Sequence, residues 1–268
     1  TNEASFKVGV EGQSYTATTN SEGEFSLDLN LNPGVYTIRS FYESKIFSSK
    51  FTVKSTIGAV DSRGEFSNTV VNATFIDSEG NLVQNGKAIF MVNGKEFLGS
   101  IVNGFASAII NLNSGNYTLH IINPSTGEQV EKKLFIDKAS PGFFQISIYQ
   151  DGYIVSIYAD IPLDATGYVT LACGDKNTFA PIDMNREYVD NKGYTKLQIR
   201  NLDVGNHLMT AYYEGDDNYK SARFENNFTV DETNVVITAE DSSFYYGSPD
   251  DKYTVNVKNN GIPVERDI

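Results

Sequence analysis

The chain has 268 residues, 40% of them hydrophobic, and a net charge of −13 from 34 acidic and 21 basic side chains. Acidity without a Lys/Arg cluster argues against a phosphate-backbone partner, so no nucleic acid is expected. No run approaches the roughly 18 apolar residues of a membrane-spanning helix, so no membrane contact is expected within this stretch.

In chain order, short alternating runs rich in Val, Ile, Tyr, Phe and Thr recur between turn pairs. Residues 10–15 (VEGQSY) read as two strands around a Glu11-Gly12 hairpin. Residues 30–38 (NLNPGVYTI) read as a Pro-Gly turn, with Gly34 making the turn, that opens a strand. Residues 51–53 (FTV) close the segment. Glu79-Gly80-Asn81 and Asn93-Gly94 punctuate the next one, with strands at 88–92 (AIFMV) and 134–136 (LFI). Asp151-Gly152 follows a strand at 144–149 (FQISIY), and 228–230 (FTV) closes a third segment. Beyond it lie 235–239 (VVITA), 253–257 (YTVNV), an Asn259-Asn260-Gly261 turn and 262–264 (IPV). No helix longer than a turn is expected. The fold class is all-β, as tandem immunoglobulin-like β-sandwich domains.

The motif at 30–38 returns as 111–119 (NLNSGNYTL) and 201–209 (NLDVGNHLM). It marks a repeat of roughly 80–90 residues, near the size of an immunoglobulin-like sandwich. The positions that fix it are Gly34 and Tyr36, Gly115 and Tyr117, and Gly205 and His207. Two complete repeats are expected, at 56–139 and 140–231. Residues 1–55 read as the C-terminal half of a domain and 232–268 as the N-terminal half of one. The second half supplies what the first lacks, within one chain or head-to-tail between chains by strand complementation. A cut through the middle of a domain would also leave such halves.

The stretch from Gly205 and His207 through 213–222 (YEGDDNYKSA) resembles the G-x-Y…Y-x-G-D-x-N-Y-x-x-S signature of bacterial-type immunoglobulin-like repeats. Its matching positions are Gly215, Asp216, Asn218 and Tyr219, and its departure is His207, where the signature has Tyr. Residues 236–247, together with the 30–38 motif, are similar to repeats of adhesin-like surface proteins of methanogenic archaea. The resemblance covers nearly the whole chain. It implies an extracellular, cell-surface array whose partners are surface proteins or glycans of other cells, and it implies no catalytic residue.

The candidate chemistry is sparse. Cys173 is the one cysteine, which excludes an internal disulfide framework. A nucleophilic role would need His120 or His207, and a buried thiol is the commoner use of such a residue. His207 replaces a motif Tyr and reads as a strand or corner residue, since as a metal ligand it lacks a companion. The acidic turns at 214–218 and at Asp250-Asp251 offer oxygens to Ca²⁺, although Asp/Asn/Gly loops serve any hairpin. No other cofactor is expected. Glu22 and Glu24 would share a strand face as a solvated pair. Asn72, Asn116 and Asn227 head Asn-x-Thr sequons and are possible glycosylation sites. Lys–Asn or Lys–Asp cross-links and autoproteolysis stay open.

The function expected is a non-catalytic adhesin-like stalk that displays or forms a cell-adhesion surface. Its alternative is a carbohydrate-binding accessory module of an extracellular hydrolase. The chain has 16 Tyr and 17 Phe but no Trp, the largest stacking platform for sugars. Doubled pairs such as Tyr212-Tyr213 put one ring on each sheet face, so some Tyr must be exposed.

Overall fold

The structure is a computed structural model. It describes residues 5–42, 44–142, 144–175, 181–232, 235–239, 241, 243–247, 249, 254–259 and 262–263. The expected turn residues Asn260 and Gly261, the acidic pair Asp250-Asp251, Tyr253 and Val264 lie outside the described residues. The chain divides into two compact units. One comprises Thr1–Gly64, Asn68–Asn111 and Gly115–Phe135, the other Glu65–Ser67, Leu112–Ser114 and Ile136–Ile268. Among the described residues every regular element is a strand, as the period-2 patterning requires.

β1 (Ser5–Val10), β2 (Gln13–Thr18), β3 (Gly34–Tyr42) and β4 (Lys45–Val53) form an antiparallel sheet in the order β2-β1-β3-β4. Glu11 and Gly12, at φ 50° and 80°, make the left-handed two-residue turn that matches strand twist. Val8, Val10, Ala17 and Tyr36 are buried on one face, and Leu27, Leu29 and Leu31 of the connecting stretch pack against them. Glu22 and Glu24 do not share a strand. Both sit in a turn built on Asn20, whose Oδ1 accepts their backbone N–H groups at 2.9 and 3.0 Å.

Gly34 also differs from its expected role. It is the first residue of β3 and has no left-handed φ. Its missing side chain makes room for the Tyr36 ring, whose hydroxyl would lie 3.3 Å from a Cβ there. Gly115 stands in the same relation to Tyr117, at 3.2 Å.

Next come β5 (Ile57–Gly58), β6 (Ser62–Glu65), β7 (Val70–Phe75), β8 (Asn85–Val92), β9 (Lys95–Val102), β10 (Phe105–Ile109), β11 (Gly115–Ile122) and β12 (Gln129–Asp137). They are hydrogen-bonded into a single sheet, β5-β7-β10-β9-β8-β11-β12-β6. Continuity between its halves comes from the β9–β10 hairpin, turned at Asn103-Gly104 and paired at Phe105↔Val102. Gly99 permits the close passage there, because a Cβ would meet the Ser107 carbonyl oxygen at 2.6 Å and the Phe90 ring at 2.9 Å. Alternate residues Val71, Ala73, Phe75, Ala88, Phe90, Val92, Ala106, Ala108, Leu119 and Ile121 are buried.

A polar knot fixes the entry to this sheet. Asn123, fully buried, donates through Nδ2 to the Ile76 carbonyl at 2.8 Å and to Thr56 Oγ1 at 2.9 Å. Glu128 accepts from the Ser55 hydroxyl at 2.6 Å and from the Thr56 N–H at 2.5 Å. Burial pushes the Glu128 carboxyl up, but the Ser55 and Thr56 hydrogen bonds outweigh it and hold the group below its ordinary value.

β13 (Gln145–Asp151), β14 (Ile154–Asp160), β15 (Thr166–Asp175), β16 (Pro181–Asp190), β17 (Tyr194–Arg200), β18 (Gly205–Tyr213) and β19 (Ala222–Val230) form two antiparallel sheets, β13-β14-β17 and β16-β15-β18-β19. Their inner faces share one core. Val155, Ile157, Leu197 and Ile199 from the first sheet meet Val169, Leu171, Met209, Ala211 and Tyr213 from the second. Three strands over four, with β17 and β18 crossing between sheets, is the immunoglobulin-like sandwich. Cys173 of β15 is fully buried in this core, and burial, then the Asp183 carboxylate, pushes its thiol up to about 11. It is a packed thiol at neutral pH.

Last, β20 (Val235–Ala239), β21 (Val255–Asn259) and β22 (Ile262–Pro263) make a small antiparallel sheet in that order.

Candidate functional site

The recurring motif builds a corner rather than a binding site. In β3, Tyr36 Oη donates to the Asn32 carbonyl four residues upstream at 2.5 Å, and the ring stacks on Phe51 across the β3–β4 pair at 5.4 Å. That is a tyrosine corner. In β18, His207 repeats the arrangement. Its Nε2 lies 2.6 Å from the Asp203 carbonyl, again four residues upstream, and its ring lies 5.6 Å from cross-strand Phe228. Because a carbonyl only accepts, Nε2 carries a proton in this arrangement. Nδ1 is buried and has no hydrogen-bond partner among the described residues. The shorter ring leaves open space over Gly205, where a Cβ would meet nothing within 4 Å.

His207→Tyr is therefore expected to stabilise the β13–β19 sandwich by about 1 kcal/mol, since an unpaired buried polar atom is removed and the corner bond kept. His207→Phe removes the same unpaired atom but also the corner bond, so it is expected to be about 1 kcal/mol less stable than His207→Tyr and close to the wild type. Urea titration of the three proteins measures both.

The signature loop after β18 is a hydrogen-bonded hub. Gly215, at φ 85°, must be glycine, because a Cβ would lie 2.8 Å from the Tyr219 carbonyl oxygen and 2.9 Å from Ser221 N. Asp216 Oδ1 accepts the N–H groups of Asn218 and Tyr219, both at 2.7 Å. Its Oδ2 accepts from Thr166 N at 2.8 Å and the Thr166 hydroxyl at 3.3 Å. Burial pushes the Asp216 carboxyl up, yet the N–H groups of Thr166, Asn218 and Tyr219 outweigh it and lower the group below its ordinary value. Tyr219 Oη donates to Asp164 at 2.8 Å, and burial, then that bond, pushes its phenol up to about 12.

Asn218 and Tyr219 do more than close a turn. Asn218 Oδ1 accepts from Ser114 N at 2.9 Å, and its carbonyl accepts from Ala139 N at 2.9 Å. Tyr219 pairs in parallel with Ala139, and Phe66 sets its ring edge-on against Tyr219 at 5.5 Å. Phe66 and Ser114 lie in the two early segments, Glu65–Ser67 and Leu112–Ser114, that belong to the second unit. The signature thus gathers three separate stretches of chain around one loop. Sequence reasoning assigned it a turn and missed this role. No local signal marks it, because Asn218 reads as an ordinary turn residue until its contacts with Ser114 and Ala139 are seen.

Chemistry that could recognise a partner lies on outward strand faces. On the sheet β13-β14-β17, buried Val155, Ile157 and Ala159 alternate with outward Ser156, Tyr158 and Asp160. The register sets Ser156 opposite Tyr149 and Tyr158 opposite both Ser147 and Lys196. Tyr149, Tyr158 and Tyr194 run across the three strands with ring centroids 6.0 and 6.2 Å apart. Lys196 Nζ lies 5.2 Å from the Tyr158 ring centroid, and Lys192 Nζ 5.0 Å from that of Tyr194. Ser147, Tyr149, Ser156, Tyr158 and Asp160 line an open depression of 410 Å³.

The opposite outer face pairs Tyr168 edge-on with Tyr188 at 5.1 Å. Arg186 lies 3.6 Å above the Tyr168 ring and is bridged to Glu214 at 2.6 Å. Of the expected Tyr212-Tyr213 pair, Tyr213 is buried and Tyr212 is exposed.

The remaining candidates sit apart from these faces. His120 Nδ1 lies 2.9 Å from Gln129 Nε2 and 3.4 Å from Glu131. Among the described residues no group of three His, Cys, Asp or Glu side chains is placed to hold a metal ion. Asn72 in β7, Asn116 in β11 and Asn227 in β19 are all exposed. Sequence reasoning required some exposed tyrosines but named only the Tyr212-Tyr213 pair, because Tyr149, Tyr158 and Tyr194 become neighbours only through strand register.

No protein-family model matches the chain, and no curated protein matches it. Among solved structures it is similar to the chicken interferon gamma receptor alpha chain, at 13% identity over 64% of this chain and 95% of that one, with a TM-score of 0.35. It is also similar to titin domains I67–I69, at 13% identity over 85% and 94%, with a TM-score of 0.32. For the FN1–FN3 domains of chicken CNTN1 the values are 13%, 85%, 91% and 0.24. At such scores the assignment of an immunoglobulin-like fold rests on the sheets themselves.

Proposed function

We propose that the chain is a non-catalytic, extracellular module of an adhesin-like surface protein, working as a stalk that presents a cell-binding face. The observation that carries the reading is the row Tyr149–Tyr158–Tyr194 on an outward sheet face, flanked by Lys192 and Lys196. Exposed tyrosines and cations on rigid strands supply large contact area with few rotamers to freeze, which suits protein or glycan recognition. Sandwich repeats joined by short links suit a spacer that holds such a face away from a cell. The bacterial-type or archaeal affiliation comes from the signature resemblance, and the exposed sequons at Asn72, Asn116 and Asn227 fit a glycosylated surface protein. Neither a cofactor nor a bound cation is required.

A second reading is a carbohydrate-binding accessory module of an extracellular hydrolase. It is favoured by the depression beside Tyr149 and Tyr158, where Ser147, Ser156 and Asp160 offer hydroxyl and carboxylate partners to a sugar. Whole-cell binding and a glycan array, run on the same protein, separate the two. Cell binding that survives enzymatic removal of surface glycans supports the adhesin. Binding confined to isolated polysaccharides overturns it in favour of the second reading.

A further inference from the structure

Apolar side chains crowd one outward face of the β5–β12 sheet. The β7–β10 register sets Val70 opposite Ile109, Asn72 opposite Ser107 and Thr74 opposite Phe105, and Phe105 pairs in turn with Val102 of β9. Leu98 follows on the same side of β9, four residues from Val102. Val70, Leu98, Val102, Phe105 and Ile109 are 44–63% exposed, whereas the alternate residues Val71, Ala73, Ala106 and Ala108 are buried. The core therefore makes no use of these five. Together they approach the largest apolar patch that a soluble protein usually exposes, about 300–600 Å².

Asn72 stands in the middle of this face. Its neighbours on the same side of β7 are Val70 and Thr74. Its diagonal neighbours across the ladder are Phe105 and Ile109, at the roughly 7–8 Å typical of such positions. Ser107, directly opposite, is small, and along the other edge β5 pairs only with Thr74 and Phe75. The Asn72 side chain is exposed, and its amide makes no hydrogen bond among the described residues. Asn72-Ala73-Thr74 is a sequon, so the polar centre of the patch is also an attachment point for sugar. The sequon is visible in the sequence, but its place among these side chains appears only through register. Asn227 differs, since its neighbours on the same side of β19 are the polar Glu225 and Thr229.

We propose that Asn72 carries an N-linked glycan whose first sugars lie over Val70, Ile109, Phe105 and Val102 and seal this face against other chains. In the transfer, Asn72 Nδ2 forms a bond to C1 of an oligosaccharide held on a polyprenyl phosphate carrier. The bond from C1 to the carrier oxygen breaks, and the lipid phosphate and one amide proton leave. A sugar ring presents C–H groups on one side, which suit aliphatic and aromatic side chains, while its hydroxyls stay in water. A second copy seated here would instead have to bury the Asn72 amide without a partner, at a cost a glycan avoids by using that amide. The proposal rests on the extracellular reading above, because the chain must pass a glycosylating compartment.

The full chain, secreted from a eukaryotic host that attaches N-glycans to Asn-x-Thr, tests this. Peptide mapping should find Asn72 occupied. Asn72→Gln and Thr74→Ala abolish the sequon by separate routes. Each should bind an apolar fluorescent dye several-fold more strongly than the wild type, and associate at concentrations where the wild type sediments as one chain. Asn116→Gln and Asn227→Gln, which change the other two sequons, should alter neither reading. Adding Val102→Thr and Ile109→Thr to Asn72→Gln should return dye binding to the wild-type level, which a merely unfolded variant would not do. An unmodified Asn72 in protein that carries sugar at Asn116 or Asn227 overturns the proposal. So does dye binding that rises no more for Asn72→Gln than for Asn227→Gln. Sugar at none of the three sites overturns it together with the glycosylated-surface reading, whereas cell binding through Tyr149 and Tyr158 is measured separately and stands or falls alone.

Discussion

Asp216→Ala is expected to lower the stability of the β13–β19 sandwich by about 3 kcal/mol, which for a domain of this size moves its thermal midpoint down by roughly 10–20 °C. The size follows from what the carboxylate holds. It accepts three backbone N–H groups, from Thr166, Asn218 and Tyr219, and a hydroxyl from Thr166. Alanine leaves those donors without their acceptor inside a part-buried loop. The same loop receives Ser114 N through Asn218 and the Phe66 ring through Tyr219, so the damage should reach the 65–67 and 112–114 segments. Hydrogen exchange at Ser114 N is the local readout and calorimetry the global one.

The pH dependence has a definite sign. The folded Asp216 carboxyl titrates below its unfolded value of about 3.9, so its contribution is complete above that pH. It is lost as pH falls through the lower, folded value. The gap between the wild type and Asp216→Ala should be constant from neutral pH down to about 5, then close as the medium becomes more acid. A gap that widens on acidification would show that the carboxylate is not held by these donors.

How much of this was legible in the sequence varies with the range of the interaction involved. The strands and their Glu11-Gly12 and Asn93-Gly94 turns were readable because period-2 alternation and left-handed turn residues are local signals, while the turn expected at Asp151-Gly152 falls one residue later, at Gly152-Tyr153, with Asp151 still paired to Ile154. The corner role of His207 was readable because Tyr36 and Tyr117 mark the same place in other copies. The use of Gly34 was not, since a proline-glycine pair reads as a turn until the Tyr36 ring is seen over it. The eight-stranded continuity of β5–β12 runs through the β9–β10 hairpin, whose Asn103-Gly104 turn is a local signal, whereas the joining of the two halves into one sheet there is not. Asp216 was visible as part of a motif, but its partner Thr166 lies fifty residues earlier. Recognition surfaces are harder still, because residues on neighbouring strands become a patch only once register is fixed.

Double replacement of Tyr149 and Tyr158 by Ala is expected to weaken attachment to target cells by about 30-fold or more, the loss of roughly 2 kcal/mol typical of a central aromatic anchor. Both rings belong to the outward face of β13-β14-β17, and Tyr149 is 62% exposed. The fold should survive, because the side chains that hold the sandwich together point the other way; the lost ring contacts of Tyr158 with Tyr149 and Tyr194, and its contact with Lys196, account for about 1–3 kcal/mol of stability. Paired measurements of cell binding and thermal midpoint therefore separate recognition from stability. Tyr168→Ala on the opposite sheet is the control, since it removes an exposed ring of the same kind beside Arg186. If that change abolishes binding and the double replacement does not, the recognition face is β16-β15-β18-β19. If attachment also weakens with added salt, and Lys196→Gln flattens that dependence, the partner carries negative charge at the Tyr158 position. Both would then place acidic groups on the partner against a chain whose own net charge is −13, and Lys196 is the cation that lets the two surfaces approach, since Lys192 is already paired with Glu187 at 2.5 Å.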